Sequence, residues 1–328
     1  MDEPYYLRNF RTVLEDVGSR HADLLRPREA DLLGAFGALG PGARMLYVRL
    51  LTRRGPWVRR DGLAYPEIGD PGPALDELRA AGFAATEEAA LPGDLAPLLR
   101  RPEIEARLRE AGIPFPRKAG RDDLEALLLE RSPGSARVPA VSALERAWAD
   151  LMLLLFFGNG EQGLADFVVA DLGHVRYEAY PLDPADRAFR TRDEVDALRG
   201  LGELRESLEA GGDLGPPTEA LLAMEACPGI RGERRWRRLL AEVGRAWERK
   251  GEPERALACF KRGGVPPCRE RTARIHLAQG RISEAAEAAL AMAEAPLDTA
   301  EASAARRILA RLARKEPRAA AWLEAHPP

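Results

Sequence analysis

The sequence predicts a mainly α-helical chain with one small β element. Three observations predict it. Apolar residues recur at helical spacing through most of the 328 residues. One stretch departs from that spacing: Gly55-Pro56 breaks a helix, and a β-prone Trp57-Val58 follows between paired arginines. Towards the C-terminal end a two-helix pattern repeats, with Gly244 and Ala273 in matching places.

The elements follow in chain order. Tyr6, Phe10, Val13, Leu14 and Val17 keep a helical period, and Pro27 suits the first turn of a second helix carrying Leu32, Leu33 and Phe36. Gly40-Pro41-Gly42 separates these from a helix over 43–54. Trp57-Val58 is expected to pair with residues 62–68 through a turn at Asp61-Gly62. Pro73 opens a helix over 74–81 that Gly82 stops. Helices, a β-hairpin and one more helix make the outline of a winged helix. Residues 91–131 read as helices at 95–99 and 104–108, a C-cap at Gly112, an extended Ile113–Pro116, a basic Arg117–Arg121, and a helix over 124–129 capped by Asp122 or Asp123. That is the outline of an SAP-type motif, and a generic helical linker has the same outline.

Ser132-Pro133-Gly134-Ser135 reads as a linker. One apolar helix is expected over 141–157 with its stop at Gly158 or Gly160, then a helix over 164–172 and an extended segment over 175–180. Further on, Gly244, Trp247, Gly251, Ala256 and Phe260 fit tetratricopeptide spacing. Ala273, His276, Gly280, Ala285 and Ala289 take the same places in a second unit that has lost both aromatics. The division expected is a winged helix over 1–88, an SAP-like motif over 89–135, a helical linking domain over 136–215 and tetratricopeptide-like repeats over 216–328.

A net charge of −3 argues against a nucleic-acid coat over the whole surface and leaves room for a local one. Residues 1–60 hold 11 Arg against 7 acids, whereas residues 61–110 hold 5 Arg against 11 acids. Residues 44–60 alone hold six arginines and no acid. Positive charge confined to one stretch of an acidic chain suits a phosphate backbone. The expected DNA contacts are Arg53, Arg54, Arg59 and Arg60 on the wing, with Arg117, Lys118 and Arg121 in the second motif. Trp57 serves either as a wedge at a junction or as a packing residue under the hairpin.

Catalytic signals are missing. Cys227, Cys259 and Cys268 form no paired motif, and with four scattered histidines no zinc spacing appears. The thiols read as reduced and the compartment as cytoplasmic. No P-loop, nucleophile elbow or H-E-x-x-H occurs. His174 beside Asp171 reads as structural. Glu248-Arg249-Lys250 places an acid two residues before a lysine, as a restriction-type metal site does, but on a solvated helix end. The run 151–157 is too short to span a membrane.

Several blocks together resemble bacterial Fanconi-associated nuclease homologues: Tyr5–Phe10, Leu46–Leu50, Gly55–Arg59, Ala80–Phe83, Phe156–Asn159 with Gln162 and Leu164, Phe167-Val168, and Asp171–Glu178. The resemblance runs from residue 5 to about 315 of the chain. It implies DNA binding by a winged-helix and SAP-like part, a tetratricopeptide-like part, and then a virus-type replication-repair nuclease domain. Such proteins are metal-dependent phosphodiesterases that cut branched and 5′-flap DNA in interstrand crosslink repair. The sequence ends where that domain is expected, so no catalytic residue and no cofactor are assigned to the chain. Mg or Mn is expected only with the nuclease domain. The resulting expectation is a protein that binds branched or flapped DNA, near the nucleoid of a bacterial cytoplasm, with no membrane or small-molecule partner. The alternatives are a helical scaffold for a separately encoded nuclease and a phosphodiesterase acting in a longer protein.

Overall fold

Helix α1 (Tyr5–Arg20) forms because Tyr6, Phe10, Val13, Leu14 and Val17 fall on one stripe, and all five are buried. Helix α2 (Pro27–Ala38) starts on its proline, and the Glu29 carboxylate accepts the Arg26 N–H at 2.8 Å. Helix α3 (Pro41–Leu51) inserts Leu46, Tyr47, Val48 and Leu50. Rings of Phe10, Phe36, Tyr47, Phe83 and Trp148 meet edge-on or tilted, with neighbouring centroids 5.0 Å apart for Tyr47–Phe83 and 6.2 Å for Phe10–Trp148. This aromatic cluster is the core of the first unit. The computed structural model describes residues 3–53, 55–164, 187–224 and 227–327, and the chain divides into two units, residues 1–188 and 189–328.

In the first unit, helix α4 (Pro71–Ala80) is capped by Asp70, which accepts the Gly72 N–H at 2.9 Å. Gly82, at φ 79°, ends it, and the Phe83 N–H returns to the Leu78 carbonyl at 2.8 Å. Strand β1 (Trp57–Arg59) does not pair with residues 62–68 as expected. Its partner is β3 (Ala140–Ala143), which also takes β2 (Ala84–Thr86) on its other side. Both pairings are antiparallel, with Trp57 opposite Ser142 and Ala85 opposite Ser142. The local turn loses because Arg60 begins a 3-10 turn while its N–H extends the ladder to the Pro139 carbonyl at 3.0 Å. Tyr65 keeps one bridge to Gly69.

The same strand overturns the single helix expected over 141–157. Ala140–Ala143 is extended and buried, Glu145 takes a left-handed φ of 55°, and helix α8 (Arg146–Phe157) starts only there. Gly158 stops α8 at φ 69°, with its N–H on the Leu154 carbonyl at 2.8 Å. Residues 132–135 are accordingly not a linker to a separate body: they lead back into the first sheet. The segment they close, between β2 and β3, holds helices α5 (Pro92–Leu95), α6 (Arg101–Glu110) and α7 (Arg121–Arg131). Leu95, Ile104, Leu108, Leu124 and Leu128 form its core, and Trp57 packs against it. Helix α7 begins at Arg121 rather than Leu124, because Asp123 reaches back to the Gly120 N–H at 3.1 Å. The helix expected over 164–172, the segment over 175–180, and His174 with Asp171 lie outside the described residues.

The second unit is helical in every described element: α9 (Arg192–Glu209), α10 (Gly215–Ala223), α11 (Gly229–Arg249), α12 (Pro253–Gly263), α13 (Cys268–Ala278), α14 (Ile282–Glu294), α15 (Thr299–Leu312) and α16 (Pro317–Ala325). The repeated pattern is real in space. Gly251 at φ 76° and Gly280 at φ 73° end α11 and α13. The Glu252 N–H returns to the Trp247 carbonyl at 3.0 Å, and the Arg281 N–H to the His276 carbonyl at 2.9 Å. Trp247 is buried and donates its indole N–H to the Thr218 hydroxyl at 2.8 Å. His276 occupies the equivalent place, and burial pushes its pKa down. Cys227, Cys259 and Cys268 are free and buried, and burial pushes the Cys259 and Cys268 thiols up to about 11, so they are poor nucleophiles. No described helix is long and apolar enough to cross a membrane.

Gly244 lets α11 and α12 approach: a Cβ there lies 2.5 Å from the Phe260 ring, a fully buried side chain. Gly244→Ala is expected to lower stability by about 1–3 kcal/mol through overpacking. Gly200, inside α9, has open space at its Cβ position, and Gly200→Ala is expected to raise stability by about 0.5–1 kcal/mol. Urea unfolding followed by circular dichroism separates the two signs.

Candidate nucleic-acid interface

The six arginines of residues 44–60 do not share one environment. Arg49, on the last turn of α3, forms an ion pair with Glu67 at 2.6 Å. Its guanidinium lies 4.1 Å from the centre of the Tyr6 ring and 5.2 Å from that of Tyr65. The Tyr6 hydroxyl donates to the same Glu67 at 2.9 Å. Burial, and then this bond, push the Tyr6 phenol up to about 12, while Arg49 holds Glu67 below the usual carboxylate range. Arg53 lies on the outer side of this node. It is exposed and donates to the Tyr65 hydroxyl at 2.8 and 3.0 Å.

Arg59 points inward. Its five N–H donors are all used: on Asp61 at 2.7 and 2.9 Å, on Glu103 at 2.8 and 3.0 Å, and on the Leu98 carbonyl at 3.3 Å. Its hydrogen bonds to Asp61 and Glu103 raise its pKa, and in return hold both carboxyls down. This ion triad fastens β1 to the start of α6. Arg60 faces solvent, and its side chain has no partner among the described residues. Arg54 lies outside the described residues. Trp57 is half-buried against the α5–α7 core, so packing is the role its position shows.

In the second basic motif, Arg117 and Lys118 sit in the loop between α6 and α7, exposed and unpaired among the described residues. Arg121 does not share that freedom. It donates to the Pro97 carbonyl at 2.8 Å and the Leu99 carbonyl at 3.2 Å, and pairs with Glu125 at 2.9 Å. It positions α7 on the preceding turn. The expected residues thus sort into an outward set, Arg53, Arg60, Arg117 and Lys118, and an anchoring set, Arg59, Arg121 and Trp57. Tyr6, Tyr65 and Glu67 orient Arg49 and Arg53. Only a fold that brings residues 6 and 65–67 together identifies them. No described group of His, Cys, Asp or Glu could hold a metal ion, and Glu248 of the acid–lysine triplet faces Arg271 at 3.4 Å.

Fold and site define a winged-helix protein extended by a unit of repeated helical hairpins. Residues 4–85 match the family model described as "FAN1, HTH domain". The Fanconi-associated nuclease 1 homologue of Pseudomonas aeruginosa is 33% identical over 95% of this chain and 57% of its own length. That of Arabidopsis thaliana is 28% identical over 66% of this chain and 26% of its own. The crystal structure of paFAN1 bound to 5′-flap DNA with a two-nucleotide flap and a gap superposes with a TM-score of 0.88 at 30% identity, over 96% of this chain and 59% of that one. The chain belongs to the Fanconi-associated nuclease family, and it spans somewhat more than half the length of these bacterial relatives.

Glu103 and Glu67 have folded pKa values below their ordinary value of 4.5. The stability they contribute is therefore present above that value and is lost as pH falls through the depressed folded values. Glu103→Gln is expected to cost about 1 kcal/mol at pH 7, since it removes half-exposed charge-assisted bonds. The deficit should shrink as pH falls below 4.5 and the wild-type carboxyl takes up its proton, at a pH that Arg59 holds below the usual carboxylate range. Urea midpoints measured across that range check it.

Proposed function

We propose that this chain binds branched DNA, 5′-flap DNA in particular, and presents it for cutting by the nuclease part of a Fanconi-associated nuclease. The observation that carries the reading is the outward set Arg53, Arg60, Arg117 and Lys118, on a fold whose solved relative is bound to flap DNA. Arg59 and Arg121 hold the two basic loops in place, and Arg54 belongs to the same wing. On this reading α6–α7 is an SAP-like motif, the hairpins of the second unit are degenerate tetratricopeptide repeats, and the process served is interstrand crosslink repair in the bacterial cytoplasm. Mg or Mn belongs to the nuclease part. The repeated hairpins also suit a protein partner, and a separately encoded nuclease is the reading for it.

Binding dominated by phosphates has a steep salt dependence. As about four phosphate contacts, the outward set alone is expected to contribute a fall of about 100-fold in affinity for a labelled 5′-flap substrate between 50 and 200 mM salt. Replacing Arg53, Arg60, Arg117 and Lys118 together by glutamine should flatten that dependence and weaken binding at least tenfold. Fluorescence anisotropy reads both. A glutamine variant that binds like wild type removes these residues from the site.

A further inference from the structure

The second unit carries a basic surface that the winged-helix reading does not use. Helix α11 holds seven arginines and three glutamates in a chain of net charge −3. Trp236, Leu239, Leu240, Val243 and Trp247 turn one side of it into the core. Arg234, Arg238, Arg245 and Arg249 fall within an arc of about 60° on another side, at 3.6 residues per turn. All four are exposed, and no carboxylate among the described residues pairs with them. They run about 22 Å along the helix at 1.5 Å per residue. Glu242 stands at the edge of the arc as its one acid. The remaining glutamates are engaged elsewhere, Glu233 with Arg237 at 2.6 Å and Glu248 with Arg271 at 3.4 Å.

Four guanidinium groups held in a row repel one another, and among the described residues Glu242 is the one acid of the helix left beside them. A row of this length matches about six phosphates of one DNA strand, spaced 3.4 Å along the axis. Forked guanidinium donors bind phosphate oxygens two at a time and read no base. We infer that this face of α11 binds the phosphate backbone of a DNA duplex, independently of sequence. The inference rests on the reading of the chain as a DNA-binding protein and adds a contact surface in its helical unit. An acidic protein segment has the same sign of charge but no regular repeat of phosphate-like groups.

The test uses the full chain, a plain duplex and a 5′-flap substrate. The quadruple variant R234Q/R238Q/R245Q/R249Q is expected to lower the slope of log affinity against log salt by about 3 on both DNAs. The corresponding quadruple Lys variant should keep the slope. In wild type, duplex DNA should protect these four arginines from phenylglyoxal, mapped by mass spectrometry, which needs no variant to fold. If the glutamine variant keeps the full slope while the wing variant loses affinity, the inference is overturned and the proposed function stands. If polyglutamate protects the four arginines and duplex DNA does not, the inference is also overturned. Wild-type chain that binds no DNA at 50 mM salt overturns both.

Discussion

Strand β3 is the constraint on which the first unit depends. Its four residues are buried and supply hydrogen bonds to a strand on each side. Immediately after it, the Leu144 carbonyl accepts the Tyr47 hydroxyl at 2.9 Å, and Arg146 donates to the Leu50 and Leu51 carbonyls at 2.7 and 3.0 Å. Those are carbonyls at the end of α3, where backbone partners run short; the Leu50 carbonyl also accepts the Arg53 N–H at 3.2 Å. One short segment thereby completes the sheet, anchors the central helix and starts α8. The left-handed backbone at Glu145 is held by these surroundings, with Arg28 on its carboxylate at 2.6 Å.

Because β3 closes the sheet, the α5–α7 motif is an insertion in the winged helix rather than a module following it. Trp57 and Arg59, both on β1, hold the seam, one by packing and one by an ion pair with Glu103 of α6. The two basic loops are consequently parts of one unit, and the spacing between them is set by buried contacts rather than by a linker. That fixed spacing suits the proposed role of holding DNA in one geometry.

The second unit obtains its order differently. Each hairpin buries a few side chains against its neighbour, and the glycine turns repeat even though the aromatics do not. Where His276 replaces an aromatic, the space is taken by small residues: Ala273, Ala285 and Ala289 are fully buried. At the far hairpins, Arg269 reaches the buried Glu301 at 2.9 Å and the carbonyls of Ala291 and Ala295 at 2.7 and 3.1 Å. A buried carboxylate needs such a partner, and here it ties α13 to α15 and to the end of α14.

The sequence by itself determined the helical class, the stops at Gly82, Gly112, Gly251 and Gly280, the close approach at Gly244, and the family, and it narrowed the stop of α8 to Gly158 or Gly160. These depend on local backbone chemistry or on spacing within one element, both of which survive in a linear reading. Only the tertiary structure decided the partner of Trp57-Val58, the strand hidden in an apparent helix at 140–143, and which arginines face outward. Sheet pairing joins residues far apart in the chain, so no local pattern specifies it. Charge follows the same rule: Asp61, Glu67 and Glu103 come from the acidic stretch after residue 60, and folding brings them onto Arg49 and Arg59. A basic run read along the chain counts charges, whereas a basic surface is what remains after the fold has paired them.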